Sequence, residues 1–352
     1  MKKTLAILLV LAMVFCIVSG CAKKEAQTDD PTTPQDPTTE PAADKLKIVL
    51  VCPQKLGDAG PMDAMNTNLT KAATEFNLDT AVFEATEAAQ YEEVLRTYAR
   101  DGVDMIVTSM PAMVQAVKTV AAEFPEVKFT ILFPLDTFEL PNVKVVDFAI
   151  WEAYYLAGIM AGSMTETNTI GHCVGAEQTA LLADYNAYKA GALSVNPDVN
   201  VIRVNTNTFD DPAKGKDAGI SMQGMGCDII QTDLGATALG VIEAAEELNF
   251  FVMADSNEHH EVSPDTILGD TLCKYGPALY AAVAEFAKGE WTNETHHSTL
   301  AEGGVGLSIS PLITNYLTDA QKAKFEAAVK LIEEATAKIV SGEMVVEYNP
   351  AA

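Results

Sequence analysis

Short apolar runs recur along this chain, each followed by a stretch of helical character, and the series starts over near residue 150. KIVLVC (47–52), DTAVFE (79–84), DMIVTS (104–109), KFTILF (128–133) and VKVVDF (143–148) make the first series. TIGHCVG (169–175), NVIRVN (200–205), DIIQTD (228–233) and FFVMAD (250–255) make the second. Segments between them, such as 88–100, 111–123 and 151–165, read as helices. Nearly continuous apolar strands separated by helices belong to parallel sheets covered on both faces. Two such series predict an α/β chain of two doubly wound, parallel-sheet lobes. Ligands of open α/β sheets sit beyond the C-terminal strand ends. Here those ends carry small or polar residues: Gly57-Asp58, Ser109, Gly175, Asp233 to Gly235, and Asp255.

The first 45 residues follow other rules. Lys2 and Lys3 precede an apolar run of fourteen residues, Leu5 to Val18, and then Ser19-Gly20-Cys21. A basic start, a short apolar core and small residues before the cut make a secretory signal. The run is short of the roughly 20 residues that span a bilayer. With cysteine at the first mature position it resembles a bacterial lipoprotein signal, so Cys21 is expected to carry lipid on the extracytoplasmic face of the cell membrane. Residues 22–45, with Pro31, Pro34, Pro37 and Pro41, show no apolar periodicity. That composition predicts a disordered tether.

The remainder, 46–352, is long enough for one large or two moderate domains. A formal net charge of −26 argues against nucleic acid as a partner. Phosphate loops, G-x-G-x-x-G turns, G-x-S-x-G elbows and H-E-x-x-H pairs do not occur in it. No spacing singles out a catalytic carboxylate pair, so the expectation is a non-enzyme without cofactor or metal. Glu258-His259-His260-Glu261 reads as a solvated loop in preference to a metal site, because adjacent side chains diverge in helix and strand. His172 reads as a hydrogen-bonded core histidine, and Cys52, Cys173, Cys227 and Cys273 as buried thiols in preference to disulfides.

Over 143–290, VVDFAIWEAYYLAGIMAG, IGHCVGAEQTALLADYNAYKAGALSVNPDVNV, NTFDDPAKGKDAG and GCDIIQTDLGATALGVIEAAEE occur in that order. Together they resemble the basic membrane protein (BMP) family of ABC-transporter substrate-binding lipoproteins, which includes purine nucleoside receptors of the PnrA type. The resemblance implies a type I periplasmic-binding-protein fold, with a hinge and a ligand cleft between the lobes. It implies an N-terminal lobe of 46–148 plus about 270–300, and a C-terminal lobe of 149–265 plus about 305–352. It also implies a monomer that delivers a nucleoside, purine nucleosides first, to an ABC permease and its ATPase.

By the same resemblance, Phe209 in NTFDDP stacks on the base, which suits ring-on-ring attraction. Asp255 accepts from two ribose hydroxyls, Lys274 donates to the sugar and neutralises Asp255, and Gly235 lets the backbone approach the sugar closely. The family's Gly-Asp-x-Ser-Phe-Asn run is here Gly57-Asp58-Ala59-Gly60-Pro61-Met62-Asp63. Asp58, Met62 and Asp63 therefore fall at the ligand. The family's aromatic aligns with Pro61, or with Met62 if one residue is inserted, so one aromatic face is missing and Met62 is the residue that could replace it. Ser109 joins them as a strand-end residue. Two other roles fit the same residues: a sensor or antigenic lipoprotein that binds another solute, and an extracellular nucleosidase.

Overall fold

β1 (Lys47–Cys52) is buried on both faces. Ile48, Leu50 and Cys52 enter one apolar cluster, and Val49 and Val51 enter another on the opposite face. That two-residue alternation is the pleat of a strand with helices on either side. The computed structural model describes residues 45–57, 61–256 and 258–351. The signal segment, Cys21, the proline-rich stretch to residue 44, and Asp58 lie outside those residues.

After β1 the first half runs α1 (Pro61–Phe76), β2 (Asp79–Glu84), α2 (Tyr91–Arg100), β3 (Met105–Ser109), α3 (Val114–Glu123), β4 (Lys128–Leu132) and β5 (Val143–Phe148). The second half runs α4 (Ile150–Met164), β6 (Thr169–Val174), α5 (Thr179–Val195), β7 (Asn200–Asn205), α6 (Pro212–Gly224), β8 (Ile229–Asp233), α7 (Ala238–Leu248) and β9 (Phe251–Asp255). The nine expected strands are all present, with ends shifted by at most one residue. Five elements follow that the periodicity did not announce: β10 (Ile267–Cys273), α8 (Tyr275–Ala287), β11 (His296–Ser298), β12 (Val305–Ile309) and α9 (Asp319–Val340). In ILGDTLC, Gly269, Asp270 and Thr271 interrupt the apolar run, although all three are buried.

Two six-stranded sheets result, ordered β2-β1-β3-β4-β5-β11 and β7-β6-β8-β9-β10-β12. The first five strands of each repeat one topology, with the order reversing between β1 and β3 and again between β6 and β8. Neighbours pair in parallel except β12, which runs antiparallel to β10. The chain passes between the sheets three times: from β5 into α4, from β10 into α8, and from β11 into β12. These passages are bonded to one another. Ala149 N donates to Ser298 O at 3.0 Å, Lys274 N to Gly304 O at 2.7 Å, and Leu300 N to Glu152 Oε2 at 2.7 Å. Lys144 on β5, 4 % exposed, pairs with Glu285 of α8 at 2.6 Å and ties the returning helix to the first sheet.

Two expectations about single residues change. His172 is buried, but neither ring nitrogen has a hydrogen-bond partner. It lies among Tyr154, Tyr185 and Tyr188, with centroids 5.5–5.8 Å away. Burial, with Arg203 nearby, lowers its pKa to about 3, so the ring is neutral. His259 and His260 are not solvated. They fall in a turn, where neighbouring side chains can converge, and both reach the buried carboxylate of Asp270 at 2.8 Å. Among the described residues no group of three or more His, Cys, Asp or Glu is arranged to hold a metal. Cys173, Cys227 and Cys273 are free thiols.

Candidate functional site

The C-terminal ends of the two sheets face a common cleft of about 660 Å³. Met110 follows β3, Phe133 follows β4, and Asp147 and Phe148 end β5. From the other side come Asp233 at the end of β8, Asp255 at the end of β9, and Thr271 and Cys273 of β10. This is where doubly wound sheets bind ligands, because the strand order reverses and leaves a crevice.

Backbone strain concentrates here. Eight non-glycine residues have positive φ among the described residues, and four are asparagines, which tolerate that region. The other four are Met110, Phe133, Leu135 and Ser256, and all line the cleft. Such conformations persist where the surrounding structure holds them, and they gather at ligand sites.

Aromatic side chains form much of the wall. Tyr275 packs against Phe148 and Phe133, with centroids 5.0 and 6.2 Å apart. Trp151 meets Tyr348 at 4.9 Å and His297 at 5.7 Å, and its indole N–H donates to Val346 O at 3.0 Å. Phe209 is 40 % exposed and lies over Gly175. A β-carbon at Gly175 would run into its ring, 2.8 Å from Cζ, so glycine is what lets the ring lie there.

The polar groups are mostly carboxylates. Asp255 is 5 % exposed and accepts from Thr232 Oγ1 at 2.5 Å, Ser256 Oγ at 2.8 Å, Gly235 N at 3.1 Å and Leu234 N at 3.2 Å. A carboxylate offers about four lone-pair sites, so Ser256 and the donors at the end of β8 already occupy Asp255. Gly235, at φ +54, is held by that bond. Asp147 accepts from its neighbour Phe148 N at 2.9 Å. Burial raises the pKa of Asp147, and burial with the charges of Asp233 and Asp147 raises that of Asp184 well above the ordinary carboxylate range. Asp233 is pushed to about 8, chiefly by burial and then by Asp255. Burial and the surrounding aspartates raise the Cys273 thiol in the same way.

Of the residues singled out in the sequence, Phe209, Gly235 and Asp255 meet at this cleft. Met62, Asp63, Ser109 and Lys274 do not line it. Met62 is fully buried in the core beside Met65 and Leu69, so Pro61 of that segment reaches the cleft instead. The carboxylate of Asp63 accepts from Gly57 N at 2.8 Å. Ser109 is buried, and its hydroxyl has no partner. Lys274 is exposed, with its ammonium 3.3 Å from the β-carbon position of Gly306, and no ion pair joins it to Asp255 among the described residues. Sequence reasoning passed over Asp147, Asp184 and Trp151. Asp147 and Trp151 flank the passage from β5 into α4, and Asp184 sits in a helix with no local motif around it.

Comparison with known proteins bears on this geometry. The family described as ABC transporter substrate-binding protein PnrA-like matches residues 45–349. Basic membrane protein B of Borrelia garinii subsp. bavariensis is 27% identical over 322 residues, which cover 88% of this chain and 90% of that one. A purine-binding protein of Brucella abortus is 26% identical over 306 residues, 86% of this chain and 83% of that one. Among solved structures, an ABC transporter solute-binding protein of Aeropyrum pernix superimposes with a TM-score of 0.64 at 23% identity, covering 86% of this chain and 94% of that one.

Proposed function

The chain belongs to the PnrA-like family of ABC transporter substrate-binding proteins, and from that membership we propose that it captures a nucleoside-like solute outside the cytoplasmic membrane and hands it to a permease. This family binds solutes and is not enzymatic. In the proposed cycle the two sheets close on the solute about the three bonded passages, and the closed form docks on the permease. Lipid on Cys21 and the proline-rich tether keep the receptor beside its transporter.

The observation that carries the reading is the aromatic cleft at both sets of strand ends. Its volume of about 660 Å³ falls within the range of small-molecule sites. Phe209 offers an exposed ring to stack on a heterocycle, and Gly235 opens its backbone to the same space. The purine-binding relative from Brucella abortus supports a nucleobase as the flat part. Asp255 then serves by holding Gly235 and Ser256 in position rather than by taking a ribose diol, because its acceptor sites are filled.

Calorimetry with adenosine, guanosine, inosine, uridine and ribose tests the assignment. At least one nucleoside is expected to bind better than ribose, and Phe209→Ala is expected to weaken it. The loss is about 2- to 13-fold, from stacking of about 0.5–1.5 kcal/mol. Binding of ribose alone, or unchanged affinity in Phe209→Ala, contradicts base stacking at this position.

A further inference from the structure

We infer that the solute carries a positively charged nitrogen group, an ammonium or amidinium, which sits among Asp147, Asp184 and Asp233 against the aromatic wall of the cleft. The inference rests on the reading of this cleft as the solute site and adds the ligand's charge.

Three observations carry it. Asp184 lines the cleft and is 2 % exposed, yet its carboxylate has no hydrogen bond within the described chain. Asp233 also lines the cleft, and its Oδ2 is enclosed without a partner. By contrast, buried Asp255 has four donors, and half-buried Asp228 accepts from Thr165 Oγ1, Glu166 N and Thr167 N. Buried polar groups are nearly always paired, so unpaired ones facing a cavity mark where a ligand's donors belong.

Second, no lysine or arginine lines the cleft among the described residues. Arg203 acts on Asp233 and His297 on Asp147 only as nearby charges, and neither forms an ion pair with them among the described residues, whereas Lys144 and Lys216 do form ion pairs with acids elsewhere. Third, Trp151, Tyr154 and Tyr348 stand in the same part of the cleft as Asp184. Aromatic faces attract cations through the ring quadrupole, and carboxylates set among aromatic rings suit a weakly hydrated organic cation better than a metal ion. The formal net charge of −26 raises the concentration of cations around the chain and favours their approach.

The test compares matched probes by calorimetry at fixed ionic strength: adenosine against its cationic counterpart 1-methyladenosine, with putrescine and agmatine as aliphatic cations. Variants Asp184→Asn and Asp233→Asn are titrated alongside Glu126→Gln, an exposed surface control. Circular dichroism checks that each variant is folded. At least one cationic probe is expected to bind ten or more times tighter than adenosine. Asp184→Asn is expected to lose tenfold or more of that affinity, and Glu126→Gln none. Tight binding of putrescine or agmatine without 1-methyladenosine supports the charge and removes the nucleoside assignment. Adenosine binding as tightly as every cationic probe overturns the charge and leaves the nucleoside receptor standing. Failure of all cationic probes to bind, or full affinity in Asp184→Asn, also overturns it.

Discussion

Asp233→Asn is expected to stabilise the ligand-free chain, by an amount that grows from pH 4 to pH 8 and then levels off. The Asp233 carboxyl is pushed to about 8 by burial and by Asp255, against an ordinary value of 3.8. Tyr154 and Arg203 act the other way and do not overcome these two. In this window the unfolded chain has released the proton and the folded chain still holds it. The folded state therefore binds more protons, and stability falls as pH rises. The slope is at most about 1.4 kcal/mol per pH unit for one such group. Asparagine keeps the shape and does not ionise, so it removes this slope. Asp184 and Asp147, raised in the same direction, retain theirs. Thermal melts at pH 4, 6 and 8 on wild type and variant measure the difference. A constant difference across the three pH values would show that Asp233 ionises freely in the folded state.

Gly158→Ala is expected to destabilise the chain by about 3 kcal/mol, the upper part of the usual range for overpacking. α4 and α5 cross at glycines. A β-carbon on Gly158 would land on the carbonyl oxygen of Tyr188 and 2.9 Å from Ala192 N. One on Gly191 would land on the carbonyl oxygen of Tyr155, and one on Gly162 would lie 2.6 Å from Ala192 O. These are backbone atoms of the facing helix, so the helices must separate to make room. The crossing matters to function because α4 carries Trp151 and Tyr154 and α5 carries Asp184, all of which line the cleft. Gly158→Ala is thus expected to lower the denaturant midpoint and to weaken solute binding. Gly224→Ala is the control, since a β-carbon there meets nothing within 4 Å and φ is ordinary. That variant should match or exceed wild type by up to about 1 kcal/mol, the helix preference of alanine over glycine. Equal midpoints for Gly158→Ala and wild type would mean that the two helices are not in contact at this crossing.

The nine strands were legible because a parallel strand covered on both faces is an apolar run that needs no context. The last strands of the second sheet were not, since Gly269 and Asp270 are buried for reasons outside their own segment. Gly269 lies against Ser308 O, and Asp270 meets two histidines from the turn between β9 and β10. The site was legible where a residue closes a strand, as with Asp255, or sits in a distinctive string, as with Phe209. Met62 shows what one residue of register costs: one step along a helix turns a side chain by about 100°, and Pro61, the ungapped match, is the residue at the cleft while Met62 is in the core. Asp184 was invisible for a related reason. Its neighbours in sequence are helix formers, and only the fold, which buries its carboxylate near Asp233 of β8 and Asp147 of β5, makes it unusual.

The chain contains two tryptophans, which gives the most direct test of where solute binds. Trp151 lines the cleft, whereas the Trp291 indole N–H donates to Thr130 Oγ1 at 3.3 Å in the first sheet, away from it. In a Trp291→Phe variant the indole emission comes from Trp151 alone. Titrating that variant with 1-methyladenosine and with adenosine, beside calorimetry on the same samples, reads occupancy of the cleft. A saturable change in Trp151 emission is expected, with the same midpoint as the heat of binding. Heat of binding with Trp151 emission unchanged would place the solute away from the cleft and overturn its reading as the solute site.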